Sequence, residues 1–262
     1  MKKIVCLLFA LLMSVAGLAS CAQAPAEELV IGYTDYAPMN YMENDKLVGF
    51  DTEFAEAVCK KLGYTPKFQL IDWGNKYMEL NSDSIDCIWN GFTYNCADDD
   101  GVQRSEKVDF SYAYMNNEQC VVVKKDALAT LNTKDALVGK KVSAENGSAG
   151  EGVAKGLVGE NGSYVRVTAQ MSALPELKSG NVDFVVVDKT LAMSVVGKGD
   201  YADLAIADAI ALESEQYAIG FKKGSDLTAK VNGAIKELAA DGTLKALAEK
   251  YGLTNYLVTE YK

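Results

Sequence analysis

The residues able to do chemistry lie in a few short stretches. The densest runs from Trp89 to Ser111. The apolar run Ile85–Trp89 leads into Asn90-Gly91-Phe92-Thr93, a polar segment follows, and Arg104 then precedes Ser105-Glu106-Lys107-Val108-Asp109-Phe110-Ser111. A guanidinium presents a fork of donors that matches a carboxylate with two parallel hydrogen bonds. The Thr93 hydroxyl and the peptide groups around Gly91 add directional bonds beside it. Together they could hold the carboxylate of a small zwitterion. The same residues equally describe a strand end, a turn and a surface arginine, since most arginines are solvated. A second stretch, Glu145 to Glu151, is a Gly/Ser loop opening a helix whose first N–H groups suit an anion. It lacks the Gly-x-x-x-x-Gly-Lys-Ser/Thr pattern of a phosphate loop. Asp188 ends the apolar run Phe184–Val187, where it can cap the next helix.

Composition narrows the chemistry. The chain has 262 residues and no histidine, which excludes Ser-His and Cys-His catalysis. Cys59, Cys87, Cys96 and Cys120 show no Cys-x-x-Cys spacing, so neither a zinc site nor any other metal or cofactor is expected. Cys59 and Cys87 read as small core hydrophobes. The formal charge of −10 argues against nucleic acid or an anionic lipid surface as partner. Hydrophobic residues make up 49% and charged residues 24%, a globular balance with room for one large or two medium domains.

These stretches need elements to position them. Alternation and turn residues predict strands at Leu29–Gly32, Phe68–Ile71, Ile85–Trp89, Gln119–Lys124, Phe184–Val187 and Gln216–Phe221. Helices are predicted from Asp51, the N-cap candidate, to Leu62, and over Trp73–Leu80, Glu151–Leu157, Lys189–Val196, Leu227–Ala240 and Leu244–Tyr251. An internal repeat pairs Leu80–Trp89 with Leu177–Val186: a helix end, a Ser-centred turn, an Asp and a buried strand. Two copies about a hundred residues apart imply two α/β domains with mainly parallel sheets, which bind ligands at the carboxyl ends of their strands.

The start of the chain reads as a targeting segment. Lys2-Lys3 precedes the apolar run Ile4–Ala16, and Leu18-Ala19-Ser20-Cys21 is similar to a bacterial lipobox. This predicts a signal peptide over residues 1–20, a lipid on Cys21 and a tether over 21–28. The protein would then be extracytoplasmic and anchored to the cell membrane.

Asn90-Gly91-Phe92-Thr93, Arg104 and Lys107-Val108-Asp109-Phe110-Ser111 resemble the signature of the bacterial extracellular solute-binding proteins, family 3, which feed polar amino acids to ABC importers. Tyr36-Ala37-Pro38, Gly49-Phe50-Asp51, Gly147-Ser148-Ala149 and Asp241-Gly242-Thr243 follow the same family in order. The resemblance implies a two-domain α/β fold of the periplasmic-binding-protein type II. Residues 29–117 plus 218–262 would form one domain and 118–217 the other, with the ligand between them and crossings near Asn117–Gln119 and Glu215–Tyr217. It further implies that Arg104 takes the ligand carboxylate with Gly91, Thr93, Ser148 and Ala149 beside it, that Asp188 takes the ammonium, and that Tyr36 stacks on the side chain; Asn90, which can both donate and accept, is a ligand contact that bears on which side chain is bound. The implied partner is an ABC permease, and the expected state is a monomer. One departure stands out: Tyr94–Gln103 is longer than the family's turn and carries Asp98-Asp99-Asp100. A dehydratase related to the cyclohexadienyl dehydratases, or a sensing lipoprotein, could use the same fold. The expected ligand is a polar, non-acidic L-amino acid. It would be cationic if Glu145 and Asp35 both face the cleft, and neutral if they are solvated.

Overall fold

In the computed structural model, residues 26–261 are described. The predicted signal peptide, Cys21 and most of the tether therefore lie outside the described residues. No helix among the described residues is long and apolar enough to cross a membrane.

Two sheets organise the chain. The first runs in the order Thr65–Leu70, Glu28–Tyr33, Cys87–Ile88, Gly220–Phe221, Asp109–Phe110. Its first three strands are parallel, and Gly220–Phe221 is antiparallel to both neighbours. The second runs Leu204–Ile206, Met115–Lys124, Phe184–Asp188, Lys141–Glu145, Ser163–Val167, again a parallel triplet continued by antiparallel strands. The strand Met115–Lys124 is ten residues long because it also pairs with Ser214–Tyr217, placing Glu118 opposite Ser214 and Met115 opposite Tyr217. The two passages between the sheets are thus a hydrogen-bonded antiparallel ribbon rather than separate threads.

The sequence repeat is reproduced bond for bond. Asp83 and Gly180 occupy the same turn position, both left-handed, with φ of 59° and 78°. Ser82 and Ser179 donate their hydroxyls to Glu79 O and Glu176 O at 3.1 and 3.0 Å. Asp86 accepts from Val30 N at 2.7 Å, and Asp183 accepts from Lys141 N at 2.8 Å. Each Asp therefore ties its own strand to the start of the parallel neighbour. A carboxylate on a backbone N–H satisfies a donor that the ladder leaves open.

The helix Phe50–Leu62 shows why its sequence is helical. Phe50, Phe54, Ala55, Val58 and Cys59 fall on one buried face, and Gly63 stops it in the left-handed region at φ 79°. Its N-cap, however, is Gly49 and not Asp51. Asp51 is fully buried and points into the protein, accepting from Gly91 N at 2.7 Å and Tyr114 Oη at 2.8 Å. Gly49 is required there: at φ 126°, a Cβ would sit 2.1 Å from Met39 O. Cys59 and Cys87 are buried in the same core, and burial pushes the Cys59 thiol up to about 12.

Candidate functional site

Between the two sheets lies a cavity lined by Trp73, Asn90, Gly91, Thr93 and Arg104 from one half and by Glu145, Ser148, Ala149, Gln170 and Asp188 from the other. It is narrow, with a cavity volume of about 10 Å³. The halves are drawn together across it: Lys76 Nζ and Arg104 Nη2 both donate to the Gly147 carbonyl, at 2.9 and 3.1 Å. Among the described residues no cluster is suited to hold a metal ion.

Arg104 opens the short helix Arg104–Lys107 and is 1% exposed. Its Nε donates to Asp98 at 2.8 Å, Nη1 to Thr93 O at 3.0 Å and Nη2 to Gly147 O, while its guanidinium carbon lies 5.1 Å over the Phe92 ring. Three of the five N–H groups of a guanidinium are thereby engaged, which leaves two free on a side chain that lines the cavity. Asp98 is the carboxylate that holds it. Burial raises the Asp98 pKa, but the Arg104 charge and bonds from Lys107 and Tyr77 outweigh burial and hold it at about 2.

The opposite wall is acidic. Asp188, 4% exposed, sits at the N-cap of Lys189–Val195 but makes no capping bond; instead it accepts from Gln170 Nε2 at 2.7 Å and from Gln119 Nε2. The capping role open to it in the sequence is thus not the one it takes. Glu145 is 2% exposed, and its Oε1 has no hydrogen-bond partner. Burial, followed by repulsion from Asp188, pushes its pKa well above the ordinary carboxylate range. Glu215, on the crossing strand, shares the Gln119 amide with Asp188 and is pushed up to about 7 by burial and then by Asp188. Lys76, held over the Trp73 and Tyr77 rings, is driven down to about 7 by burial and then by Arg104.

Several expected ligand contacts are occupied by the protein itself. Asn90 lines the cavity, but its amide donates to Thr34 O at 3.0 Å and Asn40 Oδ1 at 2.7 Å, and its Oδ1 accepts from Thr34. Both its N–H groups are therefore internal. Gly91 lines the cavity too, with its N–H given to Asp51. Ser148 caps the helix Ala149–Val158, accepting from Glu151 N at 3.1 Å and donating to Glu145 O at 2.8 Å, so its hydroxyl is committed as well. Ala149 is the first helical residue, where an N–H has no intrahelical acceptor. The Thr93 hydroxyl makes no hydrogen bond among the described residues. Tyr36 lies behind the cavity, buried, with its hydroxyl 2.5 Å from Thr190 Oγ1 and 2.6 Å from Tyr217 Oη. Asp35 is exposed, so of the two acids weighed for a cationic ligand only Glu145 faces the cleft.

Trp73, Gln170, Lys76 and Asp51 escaped the site reading of the sequence. Trp73 had a signal, as an aromatic at the start of a helix between two site strands. Gln170 and Lys76 had none, because nothing local marks a polar residue whose partner is far along the chain.

Comparison with known proteins agrees with this fold. Residues 29–254 match the bacterial extracellular solute-binding proteins, family 3. The arginine-binding extracellular protein ArtP of Bacillus subtilis is 34% identical over 235 residues, covering 88% of this chain and 89% of that protein. The L-cystine-binding protein TcyJ of Escherichia coli is 32% identical over 219 residues, covering 82% and 79%. An ancestral arginine-binding protein bound to arginine superposes with a TM-score of 0.78 at 32% identity, covering 87% of this chain and 99% of that one. These relatives are binding proteins for amino acids. With the two-sheet fold, the interdomain cavity and the matched span taken together, the chain belongs to the bacterial extracellular solute-binding proteins, family 3.

Proposed function

We propose that this protein captures an L-α-amino acid with a cationic side chain between its two halves and presents it to the permease of an ABC importer. The carrying observation is the opposition of charge across one cavity: Arg104 with two unengaged N–H groups on one wall, Asp188 and the unpartnered Glu145 oxygen on the other. In this reading the Arg104 fork, the Thr93 hydroxyl and the Ala149 N–H receive the α-carboxylate. Asp188 receives the α-ammonium. Trp73 offers a ring face to the aliphatic or guanidinium part, and Glu145 pairs with the cationic end. A cation supplies what a crowded set of buried carboxylates lacks, whereas an acidic side chain would add to the repulsion. ArtP and the ancestral protein are both named as arginine-binding, which agrees with this. Residues 29–117 plus 218–262 would move against 118–217 about the paired strands at Asn117–Gln119 and Glu215–Tyr217. A ligand held by both halves favours the closed state and shifts the population towards it. A lipid on Cys21 would keep the protein near its permease, and Cys21→Ser should then release it from the membrane fraction.

The test is a thermal-shift screen of the tether-free protein against the common L-amino acids, followed by calorimetry. A ligand at about a hundred times its Kd stabilises by roughly 2.7 kcal/mol, a readable shift. Arginine, lysine or ornithine should lead. Arg104→Ala and Asp188→Ala should each weaken binding by on the order of 2–5 kcal/mol. Stabilisation by glutamate or aspartate alone would overturn the assignment.

A further inference from the structure

The segment Tyr94–Gln103, which departs from the family pattern, is folded onto itself. Ala97 bridges Gln103, Gly101 N donates to Asp98 O at 2.9 Å, and Val102 N donates to Asp100 Oδ1 at 3.0 Å. Between them its three successive acids meet three bases, two of the acids sharing Lys107. Asp98, with a side chain 12% exposed, bonds Arg104 Nε at 2.8 Å and Lys107 Nζ at 2.8 Å and accepts from Tyr77 Oη at 2.7 Å. Asp100 pairs with Lys107 at 2.8 Å. Asp99 reaches across the cleft to Lys155, on the helix that opens beside Ser148 and Ala149.

Taking Arg104 as the carboxylate-binding residue of the preceding section, we propose that Asp98 is the positioning residue for its guanidinium, and that Asp99 stakes the same loop to the opposite half through Lys155. A guanidinium on a flexible stem loses rotamer freedom when it is pinned. Pinning at Nε fixes the plane of the guanidinium, and with the bonds to Thr93 O and Gly147 O it leaves one N–H on each Nη group unengaged. The second tie then makes the loop respond to closure. The exposed Asp99–Lys155 pair is a weak, salt-sensitive bond, suited to adjusting release rather than to holding the fold.

The full-length protein offers a clean readout, since its sequence contains only two arginines, Arg104 and Arg166. Arg166 is 60% exposed at its side chain, so a slowly exchanging arginine Nε–H resonance in ¹⁵N spectra of the ligand-free protein belongs to Arg104, and Arg104→Lys should remove it. Asp98→Ala should accelerate its exchange at least about tenfold, and Asp98→Asn, which keeps an acceptor, should restore part of the protection. With L-arginine as probe, Asp98→Ala should weaken binding by about ten- to a hundredfold, with Asp98→Asn between it and wild type. Asp99→Asn should raise the L-arginine release rate about two- to fivefold at low salt, an effect that disappears in 1 M NaCl. Unchanged Nε–H exchange in Asp98→Ala overturns the positioning role whatever the ligand proves to be. A salt-independent release rate, or one equal to wild type in Asp99→Asn, overturns the stake. Full L-arginine affinity in Arg104→Ala would instead remove the reading of Arg104 on which the inference rests.

Discussion

A buried carboxylate oxygen without a hydrogen-bond partner, such as Glu145 Oε1, is costly unless something completes it. In the proposed function the cationic end of the ligand completes it. Glu145→Gln should therefore discriminate: L-arginine affinity is expected to fall at least about tenfold, while any L-glutamine affinity is retained or rises, measured by calorimetry on both ligands. Equal losses for both would mean that Glu145 shapes the pocket rather than selects charge. Ser148 argues in the other direction. Its hydroxyl accepts from Glu151 N and donates to Glu145 O, so Ser148→Ala should cost stability, about 1 kcal/mol by chemical denaturation. Any change in affinity would be indirect.

At the scale of elements, the turn Asn90–Gly91 is held from behind. Asp51, from the first turn of the long helix, fixes Gly91 N, and the rings of Tyr36 and Tyr217 press on its α-carbon: a Cβ there would meet Tyr36 Cε1 at 2.6 Å, in backbone that is already left-handed at φ 57°. Gly91→Ala thus combines conformational strain with a ring clash. It is expected to destabilise by on the order of 2–4 kcal/mol and to abolish ligand binding, with a lowered Tm and a silent calorimeter trace. Gly101→Ala, also left-handed but with open space around its Cβ, is the control: it should cost only the strain, about 1 kcal/mol. A comparable loss in both variants would show that the rings behind Gly91 yield without cost.

Over the whole molecule, the buried acids set how stability responds to pH. Burial raises the Asp51 pKa from 3.8 to about 7 against the bonds from Gly91 and Tyr114, and burial followed by repulsion from Asp188 raises Glu215 to about 7. A carboxyl whose pKa is higher when folded than when unfolded binds more protons in the folded state between the two values. Stability then falls as pH rises through that window, here from about 4 to about 7. For Asp51 alone the difference is on the order of 4 kcal/mol. The ligand-free protein should therefore melt at a higher temperature at pH 5 than at pH 8, and Asp51→Asn should flatten the slope. Binding of L-arginine should run the other way, because Glu145 and Asp188 must be ionised to pair with cations and their pKa values are raised by burial. Opposite slopes for stability and affinity are the expected signature; parallel slopes would contradict it.

Local sequence was sufficient wherever the physics is local. The helix Leu227–Ala240 lies where its 3.6-residue apolar period predicts it, and the repeated Ser-centred turns form twice because the Ser82 and Ser179 hydroxyl bonds span only three residues. The stretches that line the cavity were legible for the same reason: Gly and Thr after a strand, a Gly/Ser loop before a helix, and an Asp at a strand end are all turn chemistry at the carboxyl edge of a sheet. What each side chain does there was decided by partners far along the chain. Asp51 could have capped its own helix, yet it reaches Gly91 forty residues on. Lys76 meets Gly147 at a separation of 71, and Asn90 meets Thr34 at 56. Glu145 and Asp35 were indistinguishable as acids, and only packing buried one and left the other exposed. A polar group brought out of water takes whichever partner the fold places within about 3 Å, and that choice is made by the packed chain, not by the residue type.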